Sequence, residues 1–167
     1  MIRPALLWII ILTFLLPGTS FAALKGMVRH VYDGDTLLLL SRTGSSVKIR
    51  LYGIDAPEAE GQPYGAAARR VLMYKVLGRV VDAEVRERDR YGRTVAVIRL
   101  GRRDINAEMV SEGMAWTYRQ YLSGPYSSDY IRLEELARRH RKGLWRQPNP
   151  QPPWEYRHAG TKGKRRH

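Results

Sequence analysis

Apolar and polar positions along the first hundred residues fall into short runs of the kind that form strands. Residues 27–32 and 36–40 are β-rich or apolar, and Asp33-Gly34-Asp35 between them is a turn-forming tripeptide. A second turn at Arg42-Thr43-Gly44-Ser45 leads into residues 47–51, where apolar and polar side chains alternate. One face of that strand can enter a core while Lys48 and Arg50 project from the other. The period then changes. Ala68, Val71, Leu72 and Val76 recur at spacings of three and four, which predicts a helix that Gly78 ends. Two further strands are expected at 80–85 and 94–100, joined by a charged loop. Asp104 is placed to cap a helix running to Gly113, with Met109 and Val110 inward. A last helix is expected over 128–143, its apolar face built from Tyr130, Leu133, Leu136 and Ala137. Glu134 with Arg138, and Glu135 with Arg139, are i,i+4 pairs in the favourable order.

Five strands interrupted by one helix and followed by others predict a mainly β, α+β domain, a small β-barrel of the OB type. The ends of the chain have a different character. Arg3 precedes an apolar stretch, Ala5 to Leu16, broken by Thr13 and stopped by Pro17-Gly18. Ser20-Phe21-Ala22 has the small-x-small pattern of a signal peptidase site, so residues 1–22 read as a signal peptide cleaved after Ala22. The alternative, a retained anchor, fits less well, because a spanning helix needs about 20 apolar residues. From 148 to 167 come Pro148, Pro150, Pro152 and Pro153, then Lys162-Gly163-Lys164-Arg165-Arg166, expected to be an extended or disordered tail. That basic run either adds phosphate contacts or aids solubility.

The 167 residues carry 29 Lys+Arg against 16 Asp+Glu, a formal net charge of +13. Such a field attracts polyanions. Nucleic acid is the commonest of them, with acidic membrane surfaces and polysaccharides as alternatives. The chain has no cysteine, which excludes disulfides, thiolate catalysis, zinc-thiolate sites and a lipoprotein anchor. A bacterial protein exported to the periplasm or the medium is the simplest reading.

Three segments concentrate the polar residues most suited to chemistry: Asp33 to Thr36, Arg50 to Glu58, and Asp89 to Arg93. Each sits at a strand end or adjoining turn, where a rigid scaffold presents loops to a ligand. Phosphodiester hydrolysis needs a carboxylate to activate water, cations aimed at the phosphate oxygens and, commonly, a hard divalent ion held by oxygen ligands. Asp35, Asp55 and Glu58 are the candidate carboxylates. Arg50 and Arg93 are the candidate cations, since a guanidinium donates two hydrogen bonds to phosphate and stays charged. Taken singly, each segment is an ordinary turn, strand or loop; the order and spacing of all three together is the specific signal.

In these segments the chain resembles the staphylococcal nuclease (thermonuclease-like, SNase) family. The resemblance runs from about Met27 to Trp145, through Val31-Tyr-Asp-Gly-Asp-Thr36, Ile49-Arg-Leu-Tyr-Gly-Ile-Asp-Ala-Pro-Glu58, Asp89-Arg-Tyr-Gly-Arg93, Val110-Ser-Glu-Gly-Met-Ala115 and Gly143-Leu-Trp145. It implies a five-stranded OB-fold barrel with three α-helices over residues 24–147. It also implies a calcium-dependent nuclease acting on DNA, RNA or both, endonucleolytic, with little sequence specificity and 3′-phosphate products. Carried over by position, Asp35 and Asp55 would ligate one calcium ion, with Ala56 adding its backbone carbonyl. Glu58 would be the general base, and Arg50 and Arg93 would grip the phosphate. Asp33 would be an outer carboxylate. Arg90 and Tyr91 would touch a nucleotide phosphate, and Tyr121 would lie near the base. Trp116 fits either base stacking or the core. The family's loop between Glu58 and the first helix is longer than residues 59–63 here. A monomer with no stable membrane association after signal cleavage is expected. The competing classes are a non-catalytic nucleic-acid-binding OB module and an envelope protein that binds other acidic polymers.

Overall fold

The computed structural model describes residues 23–124 and 126–164. The expected signal segment and its cleavage site lie outside the described residues. Strands β1 (Ala23–Val31), β2 (Thr36–Ser41) and β3 (Ser46–Leu51) form an antiparallel meander. A two-residue strand β4 (Ile54–Asp55) and helix α1 (Gly65–Val76) follow, then the hairpin β5 (Val80–Arg88) and β6 (Thr94–Leu100). β1 pairs with β5, and β3 pairs in parallel with β6 through Ile49–Thr94, Arg50–Val95 and Leu51–Ala96. That last ladder closes a five-stranded barrel in the order β3-β2-β1-β5-β6, the architecture expected from the sequence. Closure removes the sheet's open edges. Inside it, Val28, Leu37, Leu39, Ile49, Ala83 and Ile98 are sealed from solvent.

The helices cover the barrel as their periodicity requires. Ala68, Leu72 and Val76 of α1 are fully buried. After β7 (Arg103–Asp104), helix α2 (Ile105–Ser111) is capped by Asp104, whose side chain accepts from the Ala107 N–H at 2.9 Å. A cap of this type contributes about 1 kcal/mol. Met109 and Val110 face inward, as expected. Strand β8 (Trp116–Thr117) pairs with β4, tying Asp55 to Trp116. Helix α3 (Tyr126–Arg139) starts two residues before the expected position and buries Tyr130 and Ala137. It also buries Glu134, which accepts from the Thr117 N–H at 3.3 Å and pairs with Arg138 at 3.2 Å.

The C-terminal segment departs from expectation. Instead of an extended or disordered tail, the prolines lead into a fourth helix, α4 (Pro153–Lys164). Proline at the first helical position sacrifices no hydrogen bond, because that N–H has no partner in the helix, and its fixed φ suits the first turn. Trp154 on the next position supplies the anchor. It packs against a second apolar cluster of Trp116, Ala137, Leu144 and Trp145, outside the barrel interior. Its ring is edge-on to Trp116, with centroids 5.6 Å apart, and stacked on Tyr118 at 5.5 Å and 2°. Trp116 is therefore a packing residue, covered by Trp145 and by the Arg138 guanidinium. Among the described residues, no helix is long and apolar enough to cross a membrane.

Candidate active site

The loops at one end of the barrel enclose a cleft of about 1160 Å³. Its floor begins with the turn after β1. There the Asp35 N–H donates to Asp33 Oδ1 at 3.0 Å, a local bond that shapes the tripeptide. Gly34 permits the turn to lie against its neighbours: a Cβ there would come within 2.6 Å of Ala68 Cβ and 2.7 Å of Ala56 Cβ. The turn delivers Asp35 to the start of β2, 3% exposed and surrounded by donors. Its Oδ1 accepts from Thr36 Oγ1 at 2.9 Å and from Arg50 at 2.8 Å, while Oδ2 accepts from the Ala56 N–H at 2.8 Å. Arg50 stands opposite Thr36 in the β2–β3 ladder, so the register alone brings its guanidinium beside Asp35.

The other arm of Arg50 donates to Asp55 Oδ1 at 2.7 Å and to the Ile54 carbonyl at 3.4 Å. Asp55 is completely buried and lies beneath the cleft surface. The chain then turns to Glu58, whose N–H donates to Gln62 Oε1 at 2.9 Å. Gly65 at the start of α1 abuts the Glu58 carbonyl so closely that any Cβ would overlap it. These two contacts fix the short 58–65 loop with the Glu58 side chain at the cleft, 37% exposed.

Two acids this close inside a protein repel each other, and the fold resolves the conflict unevenly. Burial pushes Asp35 up, but the Arg50 charge and the bonds from Ala56 and Thr36 outweigh it and hold the carboxyl below its usual range. Burial and the Asp35 charge push Asp33 up to about 7. Burial and Asp35 likewise raise Asp55, against the pull of two arginines. Arg50 is held more firmly protonated than an ordinary arginine, since the two aspartates outweigh its own burial. Acids crowded and buried in this way are groups that a bound cation can stabilise.

The Asp89–Arg93 segment forms the β5–β6 hairpin tip. Asp89 Oδ1 accepts from the Tyr91 and Arg93 N–H groups, and Oδ2 from Arg93 Nε at 2.6 Å. Arg93 thus faces the cleft in a bond with Asp89 rather than with the Asp35–Arg50–Asp55 network. Arg90, Tyr91 and Tyr121 line the same cleft, with Tyr91 74% exposed. Ten positions named from the sequence therefore come together: Asp33, Asp35, Arg50, Ala56, Glu58, Arg90, Tyr91, Arg93 and Tyr121 on the wall, and Asp55 under it. Among the described residues, no group of three or more His, Cys, Asp or Glu side chains forms a ready metal cage. The convergent donors are the two aspartates on Arg50. Their all-oxygen chemistry fits a hard divalent ion that takes its remaining ligands from backbone, water or substrate.

Sequence reasoning missed the contribution of the last helix. Arg157 bonds to Asp55 through both of its terminal nitrogens, at 2.7 and 3.2 Å, and to Glu58 at 2.7 Å. Trp154, His158, Tyr118 and Lys48 also line the cleft. The signal for α4 is present in Pro153 followed by Glu155, a helix-starting proline with an acid in the first turn.

The comparisons agree with this geometry. Residues 48–147 match the family model described as staphylococcal nuclease homologue. A protein named micrococcal nuclease from Shigella flexneri is 40% identical over 150 residues, covering 84% of each chain. An uncharacterized endonuclease from Haemophilus influenzae is 39% identical over 130 residues, 78% of this chain and 71% of that one. Protein ParB from Escherichia coli is 37% identical over 147 residues, 83% and 81% of the two. The chain belongs to the staphylococcal nuclease family.

Proposed function

We propose that this chain is an exported, calcium-dependent nuclease that cuts DNA, RNA or both internally, with little sequence preference, and leaves 3′-phosphate ends. The class of enzyme, a phosphodiester-hydrolysing nuclease, follows from family membership and from relatives named nuclease and endonuclease. One observation carries the assignment of the site: Asp35, Arg50, Asp55, Glu58 and Arg93, spread over 59 positions of sequence, gather at a single cleft. The charge of +13 supports a polyanionic substrate, and the leader-like residues 1–22 support export to the periplasm or medium.

In this reading Asp35 and Asp55, with the Ala56 carbonyl, hold one calcium ion. When bound, that ion supplies charge stabilisation to the phosphoryl oxygens as a Lewis acid. Glu58 orients the attacking water and takes its proton on a carboxylate oxygen as the water oxygen bonds to phosphorus; the P–O5′ bond breaks, and the 5′ oxygen leaves and takes up a proton to become a hydroxyl. Arg50 offers the edge of its guanidinium that the aspartates leave exposed, and Arg93 turns from Asp89 toward the phosphate. Together they stabilise the charge that grows on the phosphate oxygens. Asp33 restrains the turn by accepting the Asp35 N–H. Arg90 and Tyr91 contact a neighbouring phosphate, and Tyr121 approaches a base. The chain acts as a monomer without stable membrane association.

Incubating purified protein with supercoiled plasmid and with RNA, in calcium, in magnesium and after chelation, tests the reading. Chelator-sensitive cleavage with 3′-phosphate termini is expected. Salt-dependent binding without turnover in any of these ions would instead make the chain a binding module.

A further inference from the structure

The last helix contacts the acids of the cleft in a way that the catalytic reading does not use. Arg157 spans both oxygens of Asp55 and one oxygen of Glu58. Those are oxygens that the reading above assigns to an ion and to the attacking water. A guanidinium is there already. Arg50 neutralises Asp55 from the barrel side, so Arg157 is a second cation on the same fully buried carboxylate.

The helix that carries it is attached by separable contacts. Trp154 stacks on Tyr118, Gln62 Nε2 donates to the Gln151 carbonyl at 2.8 Å, and the Arg157 pairs close the cleft side. The Arg157 side chain is 40% exposed. All of α4 lies beyond residues 48–147, the region matched by the family model. Among the described residues, the barrel strands pair only with other strands. Beyond Arg157 the sequence adds Lys162, Lys164, Arg165 and Arg166.

We propose that α4 is an autoinhibitory latch: Arg157 holds Asp55 and Glu58 in place of the divalent cation and the attacking water, and cation binding requires the helix to swing away. The proposal rests on the metal-dependent reading above. Its arithmetic is that of a competent state populated only in part, since the apparent dissociation constant rises as the open fraction falls. An open fraction near one tenth weakens calcium binding about tenfold.

The test uses the full chain and Arg157→Gln, without nucleic acid, titrated with calcium chloride by calorimetry. Hydrogen exchange of the 154–159 amides is followed in parallel. Calcium should speed exchange of α4 in the wild type, and Arg157→Gln should bind calcium about tenfold more tightly. Trp154→Ala, which removes the aromatic anchor and leaves Arg157 in place, should tighten binding in the same direction. Equal calcium affinity in all three proteins, with α4 exchange unmoved by calcium, overturns the latch. So does an Arg157→Gln protein that binds calcium like wild type yet turns over more slowly at saturating calcium, because Arg157 then serves the substrate. Wild-type protein that neither binds a divalent ion nor cleaves removes the catalytic reading and the latch together. Chelator-sensitive cleavage with unchanged affinity in the variants removes the latch alone.

Discussion

Asp55 receives two arginines that are built in different ways. Arg50 sits within a strand paired on both sides, to β2 and to β6, and its side chain is 16% exposed. Arg157 sits on a helix outside the barrel, at 40% exposure. The distances are the same, 2.7 Å to Asp55 in each case. What differs is the unit that carries each arginine. Arg50 is anchored to a strand hydrogen-bonded on both sides, whereas Arg157 can be carried away when one helix lifts. Local opening in proteins spans this whole range of free energies, so identical ion pairs can be structural on one side of a carboxylate and switchable on the other.

The largest expected effect comes from removing the inner arginine. Arg50→Ala leaves Asp35 and Asp55 buried together without their shared cation, a loss of about 3–5 kcal/mol for a broken buried pair. Turnover should fall at least about 10²-fold, as when a charge-stabilising donor is removed. Calorimetric melting and plasmid cleavage check both, and an unaltered melting temperature would erase the distinction between the two arginines. Glu58→Gln separates chemistry from stability. Turnover should drop about 10²- to 10⁴-fold, the range for a lost general base, while thermal melting stays near wild type because the side chain is partly exposed.

The barrel side should also reveal itself through pH. The folded pKa of Asp33 is raised, to about 7, so the folded protein keeps that proton after the unfolded chain has lost it. Its stabilising contribution is complete below about pH 4, the ordinary aspartate value. It declines as pH rises from there to about 7. Asp35 has the opposite sign: its carboxyl is depressed, and its contribution is lost as pH falls below the ordinary value. Urea unfolding in calcium-free buffer across pH 4 to 7 should show a downward slope that Asp33→Asn flattens. A slope identical in wild type and Asp33→Asn would contradict it. The smallest effect belongs to the outer arginine. Arg157→Ala should change barrel stability much less than Arg50→Ala, because Asp55 keeps Arg50 and Arg157 itself is partly exposed. A loss as large as that of Arg50→Ala would make α4 part of the barrel's cooperative unit.

Much of the fold was legible because it is written in local periodicity. The alternation of residues 47–51 became β3, and the four-residue spacing of Ala68, Leu72 and Val76 became the buried face of α1. The Asp104 cap was visible for the same reason. Strands β4 and β8 were not, since two residues each carry no period and their pairing spans 61 to 63 positions. Glu134 looks like half of a surface i,i+4 pair, and it is that, but tertiary contact with Thr117 also draws it inside. Nine of the ten proposed site residues fall in three short motifs, and the fold gathers them with Tyr121 at one cleft. Arg157 could not be picked out in this way: it is one charge in a basic tail, 102 positions from Asp55, and the prolines before it favoured an extended reading.

The parallel pairing of β3 with β6 has a consequence for how such a protein can change over time. It sets Ile49 beside Thr94, so the strand ends bearing Arg50 and Arg93 meet at one rim. Everything between those strands can grow or shrink as loop and helix without disturbing that meeting. A single residue inserted within either strand, however, would turn its side chains to the opposite face and disarm the rim. Length variation in descendants of this sequence should therefore accumulate in the connections and spare both strands.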